Sequence, residues 1–201
     1  IFNTQLDGVK AYVTVNPYIN NNGLDDFAKT TEQGLVAWQG DNYLSLQGAQ
    51  PFKQTSVGFT GVSDGLSQLK TTQQLTRVYK TTGEQSGNVS LLAELGEIGK
   101  NSQFDLSLSF GNNQQASFKQ GQATLAKGYQ AVLDNYNGKG EALGWQDYLQ
   151  SLAPLTSMSE QTADNGKLLY TSAMVLKAQE DKTHAGALIA SLSNPWGETV
   201  S

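Results

Sequence analysis

The sequence predicts a mainly β fold with a helical C-terminal part, and three observations carry that expectation. Apolar residues alternate with polar ones at Val9, Ala11, Val13 and Val15, and again at Phe104, Leu106, Leu108 and Phe110, the period of half-buried strands. Short runs of this kind are separated by turns rich in Gly, Asn and Pro, which favours an antiparallel sandwich over βαβ units. From Asn112 the apolar period lengthens to three and four residues, the mark of helices.

The first strand is Val9 to Val15, ended by Asn16-Pro17 and followed by an Asn20-Asn21-Asn22-Gly23 loop. Leu35 to Trp38 and Tyr43 to Leu46 flank Gln39-Gly40-Asp41-Asn42, a hairpin whose Gly and Asn suit positive φ. Phe52 to Phe59 is extended, and Ser63-Asp64-Gly65 reads as a turn. Gly87-Asn88 precedes a strand from Val89 to Leu95. Phe104 to Phe110 has the cleanest alternation in the chain and stops at Gly111.

Phe118, Leu125, Tyr129, Val132, Leu133 and Tyr136 then fall on one face of a single predicted helix, capped by Asn112 or Asn113 and ended by Gly138 and Gly140. Trp145, Tyr148, Leu149 and Leu152 predict a second, short helix before Pro154. Ser157 to Gly166 is polar and loop-like. A further helix runs from about Leu168 to Gln179, with an apolar stripe through Leu168, Leu169, Val175 and Leu176. Glu180-Asp181-Lys182 is its polar exit, and the apolar run Gly186 to Leu192 expects burial before Pro195-Trp196-Gly197 stops it. The resulting division is a β region over 1–111, helices over 112–155 and a third part over 156–201.

Composition excludes several classes. The net charge is −5 and no basic run occurs, whereas nucleic-acid binders cluster Lys and Arg. No stretch approaches the roughly 20 apolar residues of a membrane span. The absence of Cys excludes disulfides, Cys nucleophiles and Cys metal sites, and leaves the compartment open. Low charge, 15%, with 21 Gly, is typical of strand-and-turn proteins and of secreted ones. Ile1 opens the chain without a charged or apolar leader, so the numbering is expected to start after processing or partway into a longer polypeptide.

Local chemistry is sparse. Glu180 and Asp181 are adjacent, and helix neighbours point about 100° apart, so they cannot flank one bond; a solvated helix end is the reading preferred. Asp25 and Asp26 beside Asn20 to Asn22 do not match a calcium-loop spacing, which favours a turn. The single His184 supplies neither a zinc site nor a triad, and Ser191 and Ser193 have no base near in sequence. No metal or cofactor is expected. Trp38, Trp145 and Trp196 are the rings that could stack on sugars; packing is the preferred role for the first two.

The stretch from Tyr170 to Glu198 carries a resemblance. Ser172, Val175 to Ala178, Glu180 to Lys182, Gly186, Ala187, Ile189 to Ser191, Ser193 and Pro195 to Gly197 fit the pattern that opens the catalytic domain of bacterial glucoamylases and glucodextranases, glycoside hydrolase family 15. Phe52 to Thr55, Gly58 to Gly65, Gly121 to Tyr136 and Gly144-Trp145-x-x-Tyr148-Leu149 are similar to upstream segments of the same family. The resemblance implies an antiparallel β-sandwich that is part of a larger super-sandwich, two linker helices, and the first helix of an α/α barrel of six helical hairpins. It implies exo-acting, inverting hydrolysis of α-glucosidic bonds at non-reducing ends of starch-type glucans, by a secreted or periplasmic enzyme. It places Trp196 at the barrel mouth as a substrate-binding residue, and both catalytic Glu residues beyond Ser201. The chain is then expected to be inactive alone, and to pack from about Leu168 against that barrel, supplied by the same polypeptide. A carbohydrate-binding or purely structural β module is the alternative, which the helical part after Asn112 disfavours.

Overall fold

The computed structural model describes residues 6, 8–152, 154–181 and 183–189. The strands are β1 (Lys10–Val15), β2 (Phe27–Thr31), β3 (Gly34–Gln39), β4 (Asn42–Gly48), β5 (Gln54–Phe59), β6 (Val89–Glu97) and β7 (Leu106–Gly111). They form two antiparallel sheets, ordered β1-β6-β5 and β2-β3-β4-β7. The apolar faces meet. Ala28, Leu35, Ala37, Leu44 and Leu46 from one sheet pack with Val57, Val89, Leu91 and Ala93 from the other, closed at one end by Ile19. This is the antiparallel sandwich that the alternation predicts.

Local sequence explains the joints. The β3–β4 hairpin has a two-residue loop, Gly40-Asp41, between the paired Gln39 and Asn42. Gly40 adopts φ +54°, as the first central residue of a II′-type turn requires, and Asp41 needs no such conformation. In β6 the register slips: Ala11 faces Gly96 but Tyr12 faces Glu94, so Leu95 is the extra residue of a bulge. Gly96 takes φ +127° there.

One helix inside the β region was not expected. Ser63-Asp64-Gly65 does not merely turn the chain; Asp64 caps helix α1 (Gly65–Thr72). Its carboxylate accepts from the Ser67 amide at 2.8 Å, the Ser67 hydroxyl at 2.8 Å and the Gly61 amide at 2.6 Å. The carboxylate thereby satisfies the Ser67 amide, one of the helix-start donors that would otherwise be orphaned, and ties the cap to the Gly61 turn. The helix is short and largely polar, with only Leu66 and Leu69 at helical spacing, so its apolar period is weak and the Asp64 cap is the stronger sequence signal. It packs on β5 and β6, with Gly65 against Leu92.

The single helix predicted through Phe118 and Tyr136 is two helices. The first, α2 (Gln114–Lys127), is capped by Asn113, whose side chain accepts from the Ala116 amide at 2.8 Å, and it lies on β4 and β7. Gly128 then adopts φ 77° and ψ 154°, a region open essentially to glycine alone, and breaks the helix. The chain clusters into two compact units that divide at Gly128 and Tyr129.

The second unit holds α3 (Tyr129–Asn137), α4 (Trp145–Ser151), α5 (Pro154–Ser159) and α6 (Lys167–Ala178). Part of the stretch read as a polar loop, around Ser157 to Ser159, is therefore helical. Pro154 starts α5, the position at which its fixed φ and missing amide cost nothing. Asp147 closes α4 by accepting from the Gly144 amide at 2.9 Å. Contacts run α3 to α4, α4 to α6 and α5 to α6. None of α3, α4 or α6 carries a buried residue.

Candidate functional site

Two surfaces stand out, one in each unit. In the sandwich it is the inner face of β7. Leu44 pairs with Phe110 and Leu46 with Leu108, so Leu106, Leu108 and Phe110 share the face that forms the core. Yet they are 38%, 47% and 66% exposed, while Ser107 and Ser109 on the opposite face are buried. The alternation predicts this strand correctly, but the usual assignment of its faces is inverted: polar residues lie under α2 and apolar ones face open space. A stripe of this kind on a sheet interior marks a surface built to be covered. A cleft of about 560 Å³ lined by Tyr18, Ile19, Tyr43, Leu44 and Phe110 opens at its Gly111 end.

In the helical unit, Tyr136, Trp145 and Tyr148 meet edge to face, with centroids 6.3 and 6.2 Å apart. With Leu143, Lys177 and Ala178 they wall a cavity of about 410 Å³. The Lys177 ammonium lies 5.5 Å from the Tyr148 ring and is also paired with Glu180. Sequence periodicity placed Tyr136 and Trp145 on separate helices but could not show that the turn after Asn137 brings them together. The polar groups at the rim are already engaged, Asp147 with the Gly144 amide and Ser151 with the Tyr148 carbonyl. Among its described lining residues the cavity therefore offers apolar contact and no free acid–base pair.

The acids and the histidine set aside in the sequence have local partners. Glu180 accepts from the Gly186 amide at 3.0 Å, and Asp181 accepts from the Thr183 and His184 amides, each at 2.7 Å, with the His184 ring 3.3 Å away. These amides, that of His184 foremost, hold the partly exposed Asp181 carboxyl below its ordinary pKa. Both acids thus pin the loop after α6, in which Ile189 donates to the Gln179 carbonyl at 2.8 Å. Within the run Gly186 to Leu192, the described Leu188 and Ile189 are exposed rather than buried. Trp196, with Ser191 and Ser193, lies outside the described residues.

Asp26 differs from the turn residue expected. It bridges Gly87 through the backbone and is fully buried, with one oxygen 3.4 Å from the Ile19 amide and the other without a partner. Burial pushes its pKa up to about 6. A carboxyl sealed in this way cannot reach a glycosidic bond. Asp25 and Asn22 do form a turn, joined at 2.8 Å. Among the described residues no three His, Cys, Asp or Glu side chains converge as a metal site would need.

Trp38 is engaged as well. Phe27, Trp38 and Tyr43 sit opposite one another on β2, β3 and β4, and their rings stack at 5.6 and 6.1 Å. Lys29 adds a cation 5.5 Å from the indole. Neighbouring rings occupy the Trp38 faces, so this is a cross-strand ladder and not an open sugar platform.

The described residues thus form an antiparallel sandwich followed by helices, with exposed apolar side chains on both and no acid–base pair among them. The model of the family "Glucodextranase, domain N" matches residues 1–150. The chain belongs to that family. It is 33% identical over 193 residues to a glucoamylase of Clostridium sp. (strain G0005), a match that takes in 94% of this chain and 25% of that protein. A crystal structure of a bacterial glucoamylase complexed with acarbose is similar at a TM-score of 0.75 and 31% identity, over 94% of this chain and 26% of that one. The chain therefore spans about a quarter of the length of the relatives it matches.

Proposed function

We propose that this chain is the N-terminal portion of a glucoamylase-type, exo-acting glycoside hydrolase, and that it supports a helical catalytic barrel supplied by the same polypeptide. The observation that carries the reading is continuity. The likeness to glucoamylase runs through sandwich and helices alike, over 94% of the chain, which a free-standing β module would not require. The exposed apolar side chains of α6, Leu168, Val175 and Leu176, support it, because so short a helix is marginal in water and needs a face to pack on. In this reading the intact enzyme removes glucose from non-reducing ends of α-glucans with inversion. A carboxylic acid and a base roughly 6.5–9.5 Å apart, both outside this chain, do the chemistry. Trp196 lines the substrate entrance, and the enzyme works outside the cytoplasm, secreted or periplasmic.

The test uses the intact polypeptide and the 201-residue chain side by side on maltooligosaccharides. The intact form, recovered from culture fluid or periplasm, is expected to release β-glucose, read from the anomeric proton signals, and its Trp196→Ala form to show a raised KM. The chain alone is expected to release none. Glucose formed by the purified chain, or α-glucose from the intact form, would overturn the reading.

A further inference from the structure

We propose that α2 is a releasable strap, held to the sandwich by a polar seam that separates more easily than the sandwich core unfolds. The seam is unusual in composition. Beneath α2 the outer face of β4 and β7 presents Ser45, Gln47, Ser107 and Ser109, all buried. The helix side contributes Ser117, Gly121 and a single large apolar anchor, Phe118. Ser107 and Ser109 share one hydrogen bond at 2.7 Å, and the Ser117 hydroxyl turns back to the Gln114 carbonyl at 2.9 Å. Among the described residues the Ser45 hydroxyl and the Gln47 side-chain oxygen have no hydrogen-bond partner. Helix and sheet are nonetheless in close contact, since a Cβ at Gly121 would collide with the Gln47 amide.

Burying polar groups without partners costs free energy that is recovered when water enters. Release of α2 therefore gives up one Phe and a few small side chains, and regains hydration for Ser45 and Gln47. On the inner face, Leu35, Ala37, Leu44 and Leu46 pack with Val57, Val89, Leu91 and Ala93, so separating the two sheets there exposes a larger apolar area than releasing α2 does. Local openings of low cost arise where apolar contacts are few. Since α2 is the last element before the break at Gly128, its release would lengthen the tether between the strands and whatever follows.

Native-state hydrogen exchange on the 201-residue chain in rising sub-denaturing urea tests this. Amides of α2 from Ser117 to Leu125 are expected to exchange through an opening at least tenfold more populated than the one exposing Val36, Ala37 and Leu44 on β3 and β4. Gln47→Leu, which replaces the unpaired oxygen by an apolar group, is expected to slow α2 exchange severalfold and leave the core amides unchanged. Gly121→Ala is expected to do the reverse to α2 and likewise spare the core. Exchange of α2 and β4 through one common opening would overturn the proposal. So would a Gln47→Leu variant that leaves α2 exchange unaltered or faster.

Discussion

Asp26 shows how a single residue can carry more than its place in a turn suggests. Its carboxyl is sealed beside Ile19 where Asp26 bridges Gly87, so the charged form is disfavoured and the pKa rises from 3.8 to about 6. The folded state then binds the proton more tightly than the unfolded one. Its contribution is fully present below pH 3.8 and is lost as pH rises through about 6. At 1.36 kcal/mol per pKa unit the loss amounts to about 3 kcal/mol. Asp26→Asn cannot titrate, so the stability of the natural chain relative to this variant should fall by about that amount between pH 4 and pH 7, read from urea midpoints. A difference that stays flat over this range would refute the assignment. The sequence shows an Asp-Asp pair after an Asn-rich loop, but which of the two turns inward depends on the bridge between Asp26 and Gly87.

Among the elements, α1 depends on its cap more than on its own residues. Burial raises the pKa of the Asp64 carboxyl, yet the Ser67 amide, Ser67 hydroxyl and Gly61 amide outweigh that and hold it below the ordinary value. A depressed carboxylate stabilises above its unfolded pKa and loses the contribution as pH falls below it. Removing a side-chain cap costs about 0.5–2 kcal/mol, and Asp64→Ala should lie at the upper end because it strands several donors. Thermal melts near pH 7 should show the destabilisation, and it should shrink when both proteins are measured near pH 3. Undiminished destabilisation at pH 3 would point to packing instead of the carboxylate. Helix α2 teaches a related lesson. Its 3.6-residue period continues past Gly128 into α3, so the pattern alone joins what one backbone conformation separates.

At the scale of the whole molecule, the apolar inner face of β7 has a measurable consequence. Side chains as exposed as Leu108 and Phe110 contribute little to folding, so Leu108→Ser with Phe110→Ser should change stability by no more than about 0.5 kcal/mol per site. The same pair should cut dye binding and self-association of the 201-residue chain, because it removes the contiguous stripe. Analytical ultracentrifugation with a fluorescent hydrophobic probe reads both effects. A large loss of stability would mean that the stripe is covered within the chain itself.

The order of the elements and their kind are legible in local sequence. Alternation located β1 and β7, the Gly40-Asp41 loop located the β3–β4 hairpin, and the helical period located α2 through α4 and α6, because each is a property of neighbours along the chain. The motif from Ser172 to Gly197, with those around Ser63-Asp64-Gly65 and Gly144-Trp145 upstream, pointed to the family that the comparisons then showed. Tertiary structure alone decided which face of each element is used. Alternation says that Leu108 and Ser109 point opposite ways, but not that serine goes inward; that follows from α2 lying on the outer face of β4 and β7. In the same way, the stacking of Trp38 between Phe27 and Tyr43 and the meeting of Tyr136 with Trp145 are contacts between segments whose proximity no local pattern encodes.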